Sequence, residues 1–372
     1  MKISVLSVDL KRSLNLVFRG ISSKPHLPIL SGILLRVKDS QVSVESTDLE
    51  MSFWVSIPAS VESEGSLVVP AKLFVDLVGS FVGEKVELES VDNKLIVKTK
   101  GVTSELVCQS VEDFPVIPRL KAAVIRIESA DFKKKMEKVN VSTAKEDTRP
   151  ILTGVLWEFK ETETLLVATD GFRLSMERVV LETKISENLL AKKYIIPSKA
   201  LLEVSKAVSD FGAIDFGIEF DDKGRQVIFS LGSLEISSRL LEGEFPPYQQ
   251  IIPNTYNTKV NVPKDELLSA VKRASLFARD NANVIKIQIE EGTVSVSAEN
   301  SQIGSNVTKV ESEVEGEKIL MAFNAKYLID YLSVVEGDFV EWETEGELKP
   351  SVLKDSKNMS WLQVIMPIRV QS

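Results

Sequence analysis

The chain has little of what most active sites are built from. Its 372 residues include one histidine, His26, and one cysteine, Cys108. Histidine is the usual proton-transfer and metal residue near neutral pH, so a Cys/His dyad with a choice of partners and a zinc cluster are both excluded. A single cysteine excludes an internal disulfide framework and fits a reducing compartment. No run of 18 apolar residues is present, so no membrane-spanning helix is expected. The N-terminal MKISVLSVDLKRS has no long apolar segment before a small-residue cleavage site; no signal peptide and a cytoplasmic location are the expectations. Nor is there a glycine-rich phosphate loop, a Ser/His/Asp set, zinc-finger spacing or an RNP-like aromatic motif. Carboxylate or lysine chemistry remains, with no metal and no cofactor expected.

What is present is a repeat. VVPAKLFVDL at 68–77 recurs as IIPSKALLEV at 195–204 and AFNAKYLIDY at 322–331. Lys72, Lys199 and Lys326 hold the same place in each, at a constant interval of 127 residues. LPILSGILLRV at 27–37 matches RPILTGVLWEF at 149–159, and STDLEMS at 46–52 matches ATDGFRLS at 168–175 and, more weakly, AENSQIGS at 298–305. SVEDFPVIP at 110–118 matches LEGEFPPYQQIIP at 241–253, and VIMPIRV at 364–370 closes the third copy. A period near a third of the chain means three copies of one domain, expected at 1–122, 123–253 and 254–372, each large enough to bury a core.

Each copy carries the same pattern. Apolar residues at helical spacing predict a first helix at 8–20, 130–144 and 263–279. Pro263 followed by Asp265 and Glu266 is a favourable helix start. Strand-like alternation follows in 41–47, 94–99, 226–231 and 293–299. The repeated phrase opens a second helix at 70–82, 197–209 and 324–334. The fold class is therefore α+β, with antiparallel sheet and two helices segregated to one face of each copy.

Charge is distributed unevenly over this pattern. The net charge of −9 argues against a nucleic-acid partner. The first helices run the other way. Lys11, Arg12, Arg19 and Lys24 against Asp9 give 7–24 a net +3. Lys133, Lys134, Lys135, Lys138 and Lys145 against Asp131 and Glu137 give 129–145 a net +3, and 263–279 carries +2. The second helices carry 0, +1 and 0, so the six helices hold +9 and the rest of the chain −18. For a single amphipathic helix, a solvated face is the better reading of such charges. Recurrence in three copies brings a positive surface that attracts a phosphate backbone without reading bases level with it.

LPIL, STDLEMS, VPAK, EDFP, ATDGFRLS, EGEFPPY, FNAKYL and VIMPIRV, in this order and spacing across essentially the whole chain, resemble the bacterial DNA polymerase III β subunit family, the sliding clamps. The resemblance implies three sliding-clamp (DNA clamp) domains per chain and a head-to-tail homodimer forming a six-domain ring around duplex DNA, with helices inside and sheets outside. It implies a processivity factor with no active site, which tethers the replicative polymerase during replication and repair. By position, DNA-facing residues would be Lys24, Lys72, Arg149 and Lys199, with Lys11 and Arg12 as neighbours. Lys326 is expected to serve the partner pocket more than DNA.

The family also binds short peptide motifs of the polymerase III α subunit, the clamp loader and other partners between its second and third domains. Carried over by motif, that pocket comprises Leu152, Thr169, Gly171, Phe172, Arg173, Leu174, Pro246, Gln250, Ile251, Asn324, Tyr327, Val364, Met366, Pro367, Ile368 and Arg369. For the apolar members, core packing is the competing role. The dimer contact would join Leu276 and Phe277 to an edge strand near Leu106 and Cys108. Four departures from the family pattern bear on motif preference. Gln250 stands where well-known members carry Arg, and Phe172 replaces a His. Pro150 and Ile151 replace aromatic residues beside the DNA, and Gln371 and Ser372 extend the C-terminus. Two alternatives remain: a peptide-binding scaffold without DNA, and a carboxylate enzyme built on Asp48 and Asp170, whose competing role is that of turn residues.

Overall fold

The computed structural model describes residues 1–369 apart from 23, 83, 84, 124, 147, 182, 183, 188 and 222. The C-terminal extension Gln371–Ser372 lies outside the described residues.

The element order repeats three times, with one strand fewer in the second copy among the described residues. The first copy runs β1 (Lys2–Leu6), α1 (Ser7–Val17), β2 (Gly32–Lys38), β3 (Gln41–Thr47), β4 (Met51–Ile57), β5 (Ala59–Ser63), β6 (Gly65–Pro70), α2 (Ala71–Gly79), β7 (Lys85–Val91), β8 (Lys94–Thr99) and β9 (Val102–Val107). The second runs β10 (Ile125–Glu128), α3 (Ser129–Asn140), β11 (Gly154–Phe159), β12 (Glu163–Thr169), β13 (Arg173–Val180), β14 (Lys193–Pro197), α4 (Ser198–Phe211), β15 (Asp215–Phe220), β16 (Gln226–Leu231) and β17 (Leu234–Arg239). The third runs β18 (Thr258–Pro263), α5 (Lys264–Ala278), β19 (Val284–Glu290), β20 (Thr293–Asn300), β21 (Gly304–Glu311), β22 (Glu313–Gly316), β23 (Ile319–Asn324), α6 (Ala325–Leu332), β24 (Phe339–Thr344), β25 (Ser351–Asp355) and β26 (Asn358–Ile365).

The strands expected at 41–47, 94–99 and 226–231 form with those bounds. Helices α1 and α3 stop short of the expected 20 and 144. α1 gives way to a 3-10 turn at Phe18–Gly20. After α3, Ser142 and Thr143 donate back to Val139 and Asn140 in tight turns. The repeated phrase starts its helix differently in the third copy. Pro70 precedes α2, Pro197 precedes α4, and Asn324 accepts a hydrogen bond from Lys326 N (2.9 Å) as a side-chain cap for α6.

Among the described residues all strand pairings are antiparallel, and two of the four sheets cross copy boundaries. Compactness divides the chain into one unit of Met1–Ser129 with Lys199–Leu240 and another of Ala130–Ser198 with Leu241–Ser372. The first unit holds a five-stranded sheet, β5-β1-β7-β8-β9, and an eight-stranded sheet, β10-β15-β16-β17-β4-β3-β2-β6. The second holds a nine-stranded sheet, β14-β11-β12-β13-β26-β25-β24-β18-β22, and a four-stranded sheet, β21-β20-β19-β23. The second copy is thus shared. Its last strand β17 pairs with β4 of the first copy (Ile236 opposite Phe53), and its β13 pairs with β26 of the third (Leu174 opposite Val364).

Helices pack on these sheets through narrow apolar stripes. In α5, Leu267, Ala270, Val271, Ala274 and Ala278 are buried at three- and four-residue steps. They meet alternate residues of β19 (Ile285, Ile287, Ile289) and a core that includes Phe323 and Trp342, whose rings meet edge-on with centroids 5.5 Å apart. In the first unit, Leu10, Leu14 and Val17 of α1 and Phe74 and Val78 of α2 are buried in the same way. Trp342 is almost wholly enclosed. Trp342→Ala should cost about 3–5 kcal/mol, the usual range for an emptied aromatic core site, and lower the urea midpoint without changing the far-UV spectrum of the remaining folded protein.

Candidate functional site

The two TD phrases are turns, built alike. Asp48 Oδ1 accepts from the backbone N–H of Glu50 (3.0 Å) and Met51 (2.7 Å). Asp170 Oδ1 accepts from Phe172 (2.9 Å) and Arg173 (3.0 Å). The hydroxyls of Thr47 and Thr169 each donate to the carbonyl four residues on, at 3.1 and 2.7 Å. These carboxylates hold backbone in place, the role of short polar residues in turns.

The expected DNA-facing cations fall into distinct environments. In the first unit, Lys24 and Lys72 are exposed. Lys11 Nζ donates to the Gly79 carbonyl (2.9 Å), tying α1 to the end of α2. Lys199, exposed at the start of α4, lies 3.7 Å from Asp48 Oδ2. Arg12 is engaged otherwise than expected: its Nη2 donates to the Asp210 carbonyl (2.5 Å), and its guanidinium lies 4.2 Å from the Phe211 ring centroid. Arg19 joins it, with Nη2 2.7 Å from Asp210 Oδ2 and Nη1 3.7 Å from Glu203 Oε2. Arg12 and Arg19 therefore clasp the first copy's α1 to the second copy's α4. Arg149 lies in the second unit, just before a 3-10 turn at Pro150–Thr153.

The second unit contains a cavity of about 660 Å³ lined by Thr143, Ala144, Lys145, Glu146, Thr148, Arg149, Leu152, Asp170, Gly171, Phe172, Arg173, Asn324, Lys326 and Tyr327. Six residues expected in the partner pocket meet here: Leu152, Gly171, Phe172, Arg173, Asn324 and Tyr327. Gly171 turns the chain at φ +92, a value that favours glycine. Phe172 stands exposed on the rim, while its carbonyl accepts from Met366 N (2.9 Å). Arg173 organises the floor. Its side chain is 3% exposed, with Nε 3.0 Å from Asp170 Oδ2 and Nη1 2.9 Å from Asp330 Oδ2. Its guanidinium stacks 4.4 Å from the Tyr327 ring centroid. Burial, reinforced by the nearby Asp170 charge, raises the Tyr327 pKa and keeps the phenol protonated. The matching positions of the first unit, Met51 and Ala200, supply neither guanidinium nor aromatic ring.

Other expected pocket residues lie elsewhere. Leu174 and Val364 are buried in a cluster with Leu156, Val167 and Tyr248, so packing is their role. Thr169 is spent on the turn. Pro246, Gln250 and Ile251 are exposed on and beside the 3-10 turn at Tyr248–Ile251. Met366, Pro367 and Ile368 are half-buried and Arg369 is exposed; Ile368 N donates to the Ala322 carbonyl (2.7 Å), holding the terminal segment along β23. Thr143, Ala144, Glu146 and Thr148 were not expected here because they lie outside the repeated phrases, while Lys145 and Arg149 were read as helix charge and as a DNA-facing residue. Of the expected dimer residues, Leu106 and Cys108 are 4% and 6% exposed and belong to the chain's own core. Burial pushes the Cys108 thiol up to about 11. The most exposed apolar residue of β9 is Val107, followed by Val102 at its start.

Three tandem α+β units joined through shared antiparallel sheets define a clamp protein. Models of the DNA polymerase III beta subunit match nearly the whole length: N-terminal domain at 1–118, central domain at 126–247 and C-terminal domain at 249–369. A beta sliding clamp of Staphylococcus aureus is 34% identical over 368 residues, 96% of each chain. One from Staphylococcus epidermidis is 33% identical over 368 residues, again 96% of each. The solved DNA polymerase sliding clamp of Bacillus subtilis matches 100% of both chains at TM-score 0.93 and 28% identity. The DNA polymerase III beta subunit of Thermotoga maritima also matches 100% of both, at TM-score 0.89 and 27% identity. The chain belongs to the DNA polymerase III beta subunit family, the sliding clamps.

Arg173→Ala should destabilise the second unit by roughly 3 kcal/mol, because it leaves Asp170 and Asp330 without their shared cation. Urea unfolding of Arg173→Ala and Arg173→Lys checks this. The lysine, lacking the planar fork, should recover less than half of the loss.

Proposed function

We propose that the protein is a DNA sliding clamp: two chains close head to tail around duplex DNA and tether a polymerase by enclosure. The observation that carries this reading is the repeated seam. Strand β17 of the second copy pairs with β4 of the first, and β26 of the third pairs with β13 of the second. By the same rule β9 of the first copy and β21 of the third each want a partner, and each ends its sheet. A second chain satisfies both edges at once, and two chains close with neither of these seam edges left open. Exposed apolar residues support this: Val107 on β9 is 65% exposed, Val307 on β21 64% and Leu276 on α5 51%. Cys108 and Leu106 support the contact from beneath rather than forming it.

Lys24, Lys72, Lys199 and Arg149 are the cations we assign to the DNA backbone, with Lys11 beside them. Such contacts are sequence-independent and weak enough to permit sliding. Arg12 is assigned to holding α1 against α4. The cavity around Tyr327 and Phe172 is the proposed seat for a peptide of the polymerase or another partner, presenting apolar anchors to Leu152 and the two rings. Catalysis forms no part of the proposal, since Asp48 and Asp170 are both committed to turns. The cytoplasm, where the DNA lies, is the proposed location.

Two measurements test this reading. Loaded with a clamp loader and ATP onto nicked circular DNA, the protein should stay bound at high salt and leave when the circle is cut; equal loss from circular and linear DNA would contradict enclosure. Each phosphate contact adds roughly 0.9 to the salt slope of duplex binding, so the triple variant Lys24→Ala, Lys72→Ala, Lys199→Ala should lower the slope by about 2–3. An unchanged slope removes these lysines from the DNA surface.

A further inference from the structure

We infer that Asp76 accepts an ion pair from Arg273 of a second copy of this chain. The inference rests on the two-chain closure proposed above and assigns a polar contact within it. Asp76, Glu203 and Asp330 each follow the repeated lysine by four residues, one helical turn on, at the same interval of 127. In the later copies this acid meets a cation from the copy before it. Glu203 of the second copy lies 3.7 Å from Arg19 of the first, and also 2.7 Å from Lys206 on its own helix. Asp330 of the third copy lies 2.9 Å from Arg173 of the second. Asp76 belongs to the first copy, which has no predecessor in the chain. It is exposed, and among the described residues no ion pair involves it. The seam rule places a third copy before it only if that copy comes from another chain.

The place of Arg173, the cation of the second seam, is held in the third copy by Ile303, so the cation is sought on that copy's first helix, α5, as in the first seam. Counted from the helix starts, Leu276 holds the place of Arg19, so the cation of the first seam is lost at that position. Lys272 and Arg273 precede Leu276 by four and three residues and share its face. Arg273 is the better donor. Its Nε leans toward Thr308 Oγ1 (3.4 Å) on β21, which puts the guanidinium beside the edge that a second chain must cover. Its planar fork suits a carboxylate better than a lysine does. Exposed Leu73 on α2 and Leu276 on α5 flank the two charges. Bringing these side chains together would remove water from the pair and strengthen it beyond an ordinary surface ion pair.

Sedimentation over a dilution series tests the pair, with far-UV spectra and urea midpoints confirming that each variant is folded. Asp76→Arg and Arg273→Asp should each weaken the dimer by about tenfold or more, through lost attraction and new repulsion. The double variant should return to within about threefold of the parent, as expected for two residues in direct contact. A parent dimer insensitive to either reversal would overturn the pair and leave the two-chain closure standing. Rescue of Asp76→Arg by Lys272→Asp but not by Arg273→Asp would overturn the choice of donor. A parent chain that never dimerises would overturn the closure and the pair with it.

Discussion

The structure depends on hydrogen bonding between the edge strands of successive copies. A sheet edge is a row of unpaired N–H and C=O groups, and leaving it open invites association with any other strand. Here an edge of the first copy is covered by the second, and an edge of the second by the third. The first and second copies share an eight-stranded sheet, and the second and third share a nine-stranded one. No copy is a closed body by itself. This is why compactness yields two units rather than three, with the second copy divided between them.

The helices follow from the same arrangement, because side chains reinforce each seam beside its strands. Arg12 and Arg19 bind α1 to α4 through Asp210, Phe211 and Glu203. Arg173 binds the second copy to Asp330 of the third. The second seam also carries a cavity. Where the first unit places Met51 and Ala200, the second places Arg173 and Tyr327, and their stack forms the floor of a cavity. The two seams derive from one template, and the second differs from the first in this arginine and this ring. Charge is divided in a similar way, with cations on the helices and the acidic excess elsewhere.

Much of this was legible in the sequence, for identifiable reasons. The TD phrases repeat because a threonine and an aspartate are needed to close the turn before β4 and β13. The VPAK phrase repeats because a helix must begin at once after a strand, and proline or a capping asparagine suits that junction. Six of the expected pocket residues do converge. What stayed hidden was pairing over long distances. Arg12 looks like surface charge until Asp210, 198 residues away, is placed beside it. Leu174 and Val364 face each other across β13 and β26 and are consumed by packing. Sheet pairing between copies runs through backbone groups common to all residues, so no side-chain pattern announced the shared sheets. Of the residues expected at the dimer contact, Leu106 is turned inward by the alternation of β9 while Val107 faces outward, and Cys108, just past the strand's end, is also buried.

The central claim is that a third seam, equivalent to the two within the chain, forms between chains. Amide hydrogen exchange of β9 and β21 as a function of protein concentration tests it most directly. Both strands should be protected at concentrations where the dimer is populated and lose that protection together on dilution, while β4, β13, β17 and β26 stay protected throughout. A stable dimer in which β9 and β21 exchange as freely as in the monomer would contradict the account.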